Sequence, residues 1–289
     1  MEGKPLVSII CVSMNHEKYI MQGVNSFTQQ SYPNIEFLYL DNNSSDKTFE
    51  IANELFLESG RIYKGFKRER SYHLPENFNF LLKEAKGNYL CFISCDDWME
   101  QEFIETMVHQ YEQQSHVGLV YSNGWKHYQD SGTNEIAEDK KFISGKIFDH
   151  IFLNGVIFPV GIMIRKEVIA KVGVFDETMP IEDYDMWLKI AKNFEIGYSS
   201  KPLIYYRLHK KSLSHLYGNK NIGYYLQIAG KYKDNVLYEK VCRNFRKFII
   251  YEQFQLGNKK QALHLIKKDF HFERFYFSVL LKMIFGRNN

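Results

Sequence analysis

The chain opens on a run with almost no polar interruption, Leu6-Val-Ser-Ile-Ile-Cys-Val12, rich in β-branched residues. Such a run predicts a strand buried on both faces, as in a parallel sheet. Ser13 and Asn15 follow as turn and cap residues. From Glu17 to Gln30 apolar positions recur at Tyr19/Ile20, Val24 and Phe27, which is helical spacing. Pro33-Asn34 breaks the pattern, and Ile35 to Leu40 predicts a second strand. Asp41-Asn-Asn-Ser-Ser-Asp46 is a polar turn, and Thr48 to Leu57 returns to helical spacing through Phe49, Ala52, Leu55 and Phe56. Strand, helix, strand, helix at these intervals predicts βαβ units.

Further along, a basic stretch, Lys64 to Arg70, and a polar turn lead to a helix predicted over Asn77 to Ala85. Tyr89 to Ile93 is a short apolar strand. Glu102 to Gln113 reads as a helix, Val117 to Ser122 as a strand, and Lys126 to Lys141 as a polar segment turning at Asp130-Ser-Gly132. Pro159 to Arg165 predicts a strand and Lys166 to Val172 a short helix. Gly173-Val-Phe-Asp176 is a turn, and Ile181 to Lys189 begins acidic and becomes an amphipathic helix. Two strands are predicted near Glu195 to Tyr198 and Leu203 to Arg207, followed by His209 and Ser212-Leu-Ser214. From about Gly218 the pattern is helical and basic.

Composition adds bounds. At 289 residues, with 45% apolar and 25% charged residues, the chain is long enough for one large α/β core or two modest domains. Four cysteines (Cys11, Cys91, Cys95, Cys242) show neither metal spacing nor a disulfide framework, which points to buried thiols in a reducing compartment. No signal peptide precedes the first strand, and no apolar run reaches the ~20 residues of a spanning helix. A cytoplasmic protein is expected. The net charge of +3 hides a division: residues 201–289 hold 18 Lys/Arg against 5 Asp/Glu, while the first 200 hold 19 against 29. The basic end suits an anionic surface.

The chemistry is concentrated where the strand from Tyr89 ends, at Asp96-Asp97. Ligands of open α/β sheets bind beyond the carboxyl ends of strands. Buried carboxylates need a partner, and Mg²⁺ or Mn²⁺ is commonly held by one or two of them plus substrate phosphates. The alternative is a solvated turn that caps the next helix.

Three acidic or polar turns line up at predicted strand ends: Asp41-Asn42, Asp96-Asp97 and Glu182-Asp183. With Val7-Ser-Ile-Ile, Ala85-Lys-Gly-Asn-Tyr, Gly173-Val-Phe-Asp176, Glu182-Asp-Tyr-Asp-Met-Trp-Leu188 and Tyr206-Arg-Leu-His-Lys-Lys-Ser212, they fall in the order of the family 2 glycosyltransferases. Over roughly residues 5–215 the chain resembles that family, which implies an inverting enzyme of the GT-A fold acting on a nucleotide-diphospho sugar. The expected architecture is α/β, a mostly parallel central sheet flanked by helices (1–215), with a basic C-terminal helical region (216–289).

The resemblance lends roles to residues. It makes Asp97 the metal ligand, and Asp96 a contact to ribose or metal within a DxD-type motif. Asp183 becomes the general base, which a helix start would keep ionised; a helix cap is the plainer reading. Arg207 and His209 match diphosphate or metal contacts, although a histidine after a strand is more often structural. Ser13, Asn15, Asp41 and Asn42 would line the donor site. Glu182 and Asp185 read as supporting residues, and Trp187 as core rather than acceptor platform. Three positions depart from the family pattern around the base pocket. Asn42 replaces a common Asp whose carboxylate would accept uracil N3–H, Val12 and Met14 flank Ser13 where Thr-Tyr is common, and Phe78 replaces an Arg. UDP is the expected nucleotide.

For the tail, Asn235 to Leu256 predicts a helix with Leu237, Val241, Phe245, Phe248 and Ile249 on one face. Gly257-Asn-Lys is a stop, and Gln261 to Lys268 a short helix. Phe275 to Phe285, followed by Arg287, is apolar nearly all round. Two readings stand: an amphipathic membrane-surface element, or packing on protein, including a second copy. No nucleic-acid module is present. The expected acceptor is a hydroxyl of a cell-surface glycan or a lipid-linked glycan precursor. The rival functions are a nucleotidyltransferase, disfavoured by the absence of a Gly-rich loop after the first strand, and a non-catalytic nucleotide-sugar-binding protein.

Overall fold

A computed structural model of the chain describes residues 3–137, 142–155, 157–210, 212, 222–255, 258–269 and 274–285. It divides into two compact units, 1–210 and 211–289.

In the first unit, β1 (Val7–Ser13) and β2 (Ile35–Asp41) are buried at every position, and β4 (Tyr89–Ser94) at all but its last. Both faces of these strands are covered, which is why they read as continuous apolar runs rather than alternations. Helices α1 (Ile20–Thr28), α2 (Thr48–Glu58) and α3 (Leu74–Glu84) connect them. The strand β3 (Ile62–Lys67) lies where sequence reading placed only a basic stretch. It is the sheet's edge, largely exposed, and its lysines suit an edge that must not pair further. Its pattern therefore lacks the apolar signal of a buried strand.

Beyond β4 come β5 (Trp98–Met99), α4 (Phe103–Gln113), β6 (Val117–Tyr128), β7 (Thr133–Ile136), α5 (Phe148–Asn154), β8 (Ile162–Arg165), α6 (Lys166–Val172), α7 (Asp183–Asn193) and β9 (Glu195–Leu208). All nine strands form one sheet in the order β3-β2-β1-β4-β8-β6-β9-β5, with β7 hairpinned onto β6. The pairs β3-β2, β2-β1, β1-β4 and β6-β9 are parallel, and those made by β8, β5 and β7 are antiparallel. The sheet is thus mixed.

Several boundaries move from expectation. α1 begins at Ile20, not Glu17, because His16–Tyr19 forms a turn whose carbonyl at His16 accepts from Tyr19 and Ile20 N–H. α3 begins three residues earlier than expected, with Pro75 in its first turn and the His73 N–H donating to Glu76 Oε2 at 3.0 Å. The two strands expected near 195–207 are one, β9, and β6 runs on past Ser122 beside it. Their register shifts around Asn123 and Gly124 absorb the irregular stretch before Leu203. Gly124 is required there: a Cβ would lie 2.6 Å from the Ile204 carbonyl oxygen and from the Phe158 ring. The polar 126–141 segment is largely the β6–β7 hairpin; 138–141 lie outside the described residues.

In the second unit, α8 (Ile222–Gly230), α9 (Tyr238–Gln255), α10 (Lys259–Asp269) and α11 (Arg274–Phe285) follow. Ile250 on α9, Ile266 on α10, and Tyr276 and Val279 on α11 form a shared core, with Phe254, Leu265, Phe275 and Leu280 packed against it. Val241 lies buried as the helical face predicted, but Phe248 is 64% exposed. Gly218, Gly257, Arg287, Leu213 and Ser214 lie outside the described residues. Among the described residues no helix is long and apolar enough to cross a membrane.

Candidate active site

Parallel register gathers the chemistry at one edge. Ser13 on β1 pairs with Asp41 on β2, and Val12 with Ser94 on β4, so three strands end side by side. Two antiparallel steps, β4 to β8 and β8 to β6, leave β6 and β9 running in the direction of β4. The end of β9, with Arg207, therefore reaches the same edge. α7 hands over to β9 at Phe194; Asp183 is its first residue and Glu182 the cap before it. At 1.5 Å per residue its 11 residues span roughly 16 Å.

The loops after β1 and β2 are sewn together by side chains. Asp41 accepts the Ser44 N–H at 2.8 Å and the Ser44 hydroxyl, and Ser13 Oγ donates to it at 3.3 Å. Ser13 Oγ also bonds the Tyr39 hydroxyl at 2.8 Å. Asn15, at φ 56°, accepts the Ser45 N–H at 2.9 Å, while its own N–H donates to Ser44 Oγ at 2.8 Å. Ser13, Asn15 and Asp41 thus help shape the loops. Asn42 is likewise engaged: its Oδ1 accepts the Tyr72 N–H and its Nδ2 donates to the Tyr72 carbonyl, each at 2.9 Å.

The carboxylates at the end of β4 are both buried. Asp96 Oδ2 lies 3.0 Å from His209 Nε2 and 3.8 Å from His16 Nε2, while its Oδ1 is buried without a hydrogen-bond partner. Burial opposes ionisation of Asp96, but His16 and His209 more than offset it and hold the carboxyl below the usual carboxylate range. His16 is itself pushed down by burial, with Asp96 pulling the other way. Asp97 is pushed well up, first by burial and then by the charge of Asp96; the Arg207 N–H, donating to its Oδ1 at 2.8 Å, opposes the rise. One carboxylate held ionised beside another that resists charge, with an orphaned oxygen between protein groups, is an arrangement that a divalent cation would relieve.

Among the described residues no group of three or more His, Cys, Asp or Glu is arranged as a ready-made metal cage. His209 is positioned as the hydrogen-bond partner of Asp96. The residues fit a cation held by the Asp96–Asp97 pair and completed by substrate oxygens, as is common for Mg²⁺.

Arg207 is buried and faces protein. Its Nε donates to the Asp96 carbonyl at 2.6 Å and its terminal nitrogens to Gln129 and Gln22, while the guanidinium plane lies 4.5 Å from the Trp98 ring and 4.8 Å from Tyr19. It ties the Asp96 main chain to α1 and to the β6–β7 turn.

Glu182 and Asp183 keep partial solvent contact but sit among enough protein for desolvation to dominate. Burial, and then the neighbouring Asp183, push Glu182 up to about 8; burial raises Asp183 too, against the Tyr184 N–H that donates to it at 2.6 Å. The helix start does not keep Asp183 below its ordinary value, as the sequence suggested; desolvation outweighs it. No hydrogen bond joins Asp183 to Asp96 or Asp97 among the described residues. Asp185 is buried in an ion pair with Lys189 at 2.7 Å, and Trp187 is core at 4% exposure. Sequence reading missed His16 and Tyr72. His16 was signalled by its place directly after β1, whereas Tyr72 carried no signal, being joined to Asn42 only by folding.

The four cysteines are buried free thiols. Residues 8–173 match the profile of Glycosyl transferase family 2. Among curated relatives, an uncharacterised glycosyltransferase of Haemophilus influenzae is 30% identical over 213 residues, 73% of this chain and 82% of that protein. One from Methanocaldococcus jannaschii is 26% identical over 229 residues, 77% and 78% of the two chains. Among solved structures, Staphylococcus aureus TarS 1-349 in complex with UDP-GlcNAc superposes with a TM-score of 0.71 at 19% identity, covering 90% of this chain and 78% of that one. The mannosyltransferase PcManGT of Pyrobaculum calidifontis, in complex with GDP-Man and Mn²⁺, gives 0.67 at 12% identity, covering 99% and 89%. The GT-A fold is shared with these proteins. A profile that spans the β1, β2 and β4 ends, and relatives aligned over most of their length, show that the chain belongs to glycosyl transferase family 2 and is a glycosyltransferase.

Proposed function

We propose that the protein is an inverting, metal-dependent glycosyltransferase that moves a sugar from a nucleotide-diphospho sugar to a hydroxyl of a cell-surface glycan or lipid-linked glycan precursor. The observation that carries this reading is the Asp96–Asp97 pair at the end of β4, with Asp96 Oδ1 buried and unpartnered. Structures similar in fold have been solved with UDP-GlcNAc, UDP, and GDP-Man with Mn²⁺, which supports a nucleotide-sugar donor. UDP is the first choice of nucleotide.

Asp96 and Asp97 would hold Mg²⁺ or Mn²⁺; when bound, the cation neutralises the diphosphate as it leaves. His209 and His16 keep Asp96 ionised for that task, and Arg207 fixes the main chain on which both carboxylates stand. Asp183 takes the proton of the acceptor hydroxyl while that oxygen bonds to the anomeric carbon and the carbon–diphosphate bond breaks. Glu182 is the more reluctant to ionise, and as the protonated partner it leaves the charge to Asp183. The protein works at the cytoplasmic face of a membrane, where the basic second unit meets anionic lipid.

The test is a thermal-shift screen of UDP and GDP with and without Mn²⁺, followed by product formation with a nucleotide sugar. A ligand that binds the folded state alone raises stability by RT ln(1 + [L]/Kd). Metal-dependent stabilisation by a nucleoside diphosphate is expected. No stabilisation by either nucleotide, with or without metal, would sink the reading.

A further inference from the structure

The segment between α6 and α7, Gly173 to Glu182, forms neither helix nor strand, yet it delivers Asp183 to the start of α7. Buried backbone groups in such a segment need partners from elsewhere. One side chain supplies two of them. Asn79, buried on α3, accepts the Phe175 N–H on its Oδ1 at 3.0 Å. Its Nδ2 donates to the Phe175 carbonyl and to Glu177 Oε1, each at 2.9 Å.

The Phe175 ring completes the hold. Its centroid lies 5.4 Å from that of Phe78 and 5.3 Å from that of Phe92, which are themselves 5.1 Å apart. Phe78 precedes Asn79 on α3, and Phe92 belongs to β4, the strand that leads to Asp96 and Asp97. One residue earlier in the segment, the Val174 carbonyl accepts from Lys189 Nζ at 3.3 Å. Lys189 is in turn paired at 2.7 Å with Asp185 in the first turn of α7. The segment is therefore tied to α3 and β4 at Phe175 and to α7 at Val174. Between that anchor and Asp183, Met179 and Ile181 are buried, and the Thr178 N–H and hydroxyl both donate to Asp176 Oδ1, at 3.1 and 2.6 Å.

We infer that Asn79 is a positioning residue for Asp183: by pairing with the Phe175 backbone it fixes where the base stands relative to the Asp96–Asp97 pair. This rests on the roles proposed above for those three carboxylates. A base must lie within hydrogen-bond reach of the proton it takes, while the donor is held from other elements. A misplacement of about 1 Å at such a site is enough to cost ~10²-fold in rate. Ring packing alone is not directional, whereas an amide offers a donor and an acceptor in fixed geometry. An aspartate there would keep the acceptor, lose the donor and face the Glu177 carboxylate.

The experiment compares wild type, Asn79→Asp, Phe175→Leu, Asp183→Asn and the two double variants that combine Asp183→Asn with each of the others. Binding is read by calorimetry with UDP and Mn²⁺. Turnover is read as nucleoside diphosphate released from UDP- and GDP-sugars with Mn²⁺ and a glycolipid extract as acceptor. Asn79→Asp is expected to lower kcat by about tenfold or more, with donor KM and UDP affinity within about twofold of wild type. Phe175→Leu keeps the backbone pairing and loses the ring contacts, so a smaller fall of the same kind is expected. Added to Asp183→Asn, neither change should cost further turnover, because residues that act through one group are not additive. Losses that multiply with that of Asp183→Asn would overturn the inference, as would a fall in UDP affinity matching the fall in kcat. Unchanged turnover in Asn79→Asp, or in Phe175→Leu where Asn79→Asp does not fold, would overturn it too. If wild type turns over no nucleotide sugar, the proposed function falls and this inference with it.

Discussion

Asn42 and Tyr72 are joined as two strands are: the Tyr72 N–H donates to Asn42 Oδ1 and Asn42 Nδ2 donates to the Tyr72 carbonyl, both at 2.9 Å. An aspartate keeps the acceptor and loses the donor. Asn42→Asp should therefore leave the Tyr72 carbonyl unpaired and cost about 1–3 kcal/mol, read as a lower urea midpoint without ligand. UDP binding should weaken with it, since the Asn42 pairing holds the loop before α3. A variant of undiminished stability that binds UDP more tightly would restore Asn42 as a base reader.

Asp97→Asn removes a charge from the cation pair and nearly preserves shape. Calorimetry should show the metal-dependent part of nucleotide-sugar binding falling by about tenfold or more, with turnover lowered as well. Binding of the nucleotide without metal should change little. Equal losses with and without metal would place Asp97 elsewhere in the mechanism.

Asp183 acts on the acceptor, so Asp183→Asn should keep donor binding and lose ~10²-fold or more in turnover. In wild type, activity should decline on acidification before an ordinary Asp would titrate, because burial raises Asp183. Glu182 carries the matching stability effect. Its folded pKa, about 8, lies above its ordinary value, so the folded state binds the extra proton between the two. Stability then falls as pH rises through that window. Glu182→Gln should flatten this dependence, as pH-resolved melting curves would show; an unchanged slope would remove Glu182 from the account.

Arg207 distinguishes scaffold from substrate contact. Its guanidinium reaches Gln22, Gln129 and the Asp96 carbonyl within the free protein. A lysine cannot reproduce that fork. Arg207→Lys is expected to lower the stability of the ligand-free protein by about 1–3 kcal/mol. Full apo stability with weakened diphosphate binding would instead make it a direct contact.

The basic second unit exposes Phe248 and Phe277 on α9 and α11. Replacing both with Ser should reduce binding to anionic vesicles, and added salt should weaken what remains. Deleting 273–289 would not make this distinction, since it strips Tyr276 and Val279 from the unit's own core. Vesicle binding indifferent to both substitutions and salt would favour packing on protein.

What the sequence determined by itself was local and repetitive. Val7–Ser13, Ile35–Asp41 and Tyr89–Ser94 are legible because strands covered on both faces must be apolar throughout, and Asp96-Asp97 stands out because two carboxylates directly follow one of them. The β3 edge was not legible, since an edge strand has no such requirement and its lysines look like a loop. Nor was the continuity of β9, whose irregular middle is held by pairing to β6, more than 70 residues away in the chain. Folding alone decided how the polar side chains are spent. Register set Asp41 against Ser13, the return of β9 brought His209 and Arg207 to Asp96 and Asp97, and desolvation raised Asp183 where a helix start alone would favour its ionised form. Each of these depends on which groups lie within a few ångströms, and hydrogen bonds and dielectric act at that range, whatever the separation along the chain.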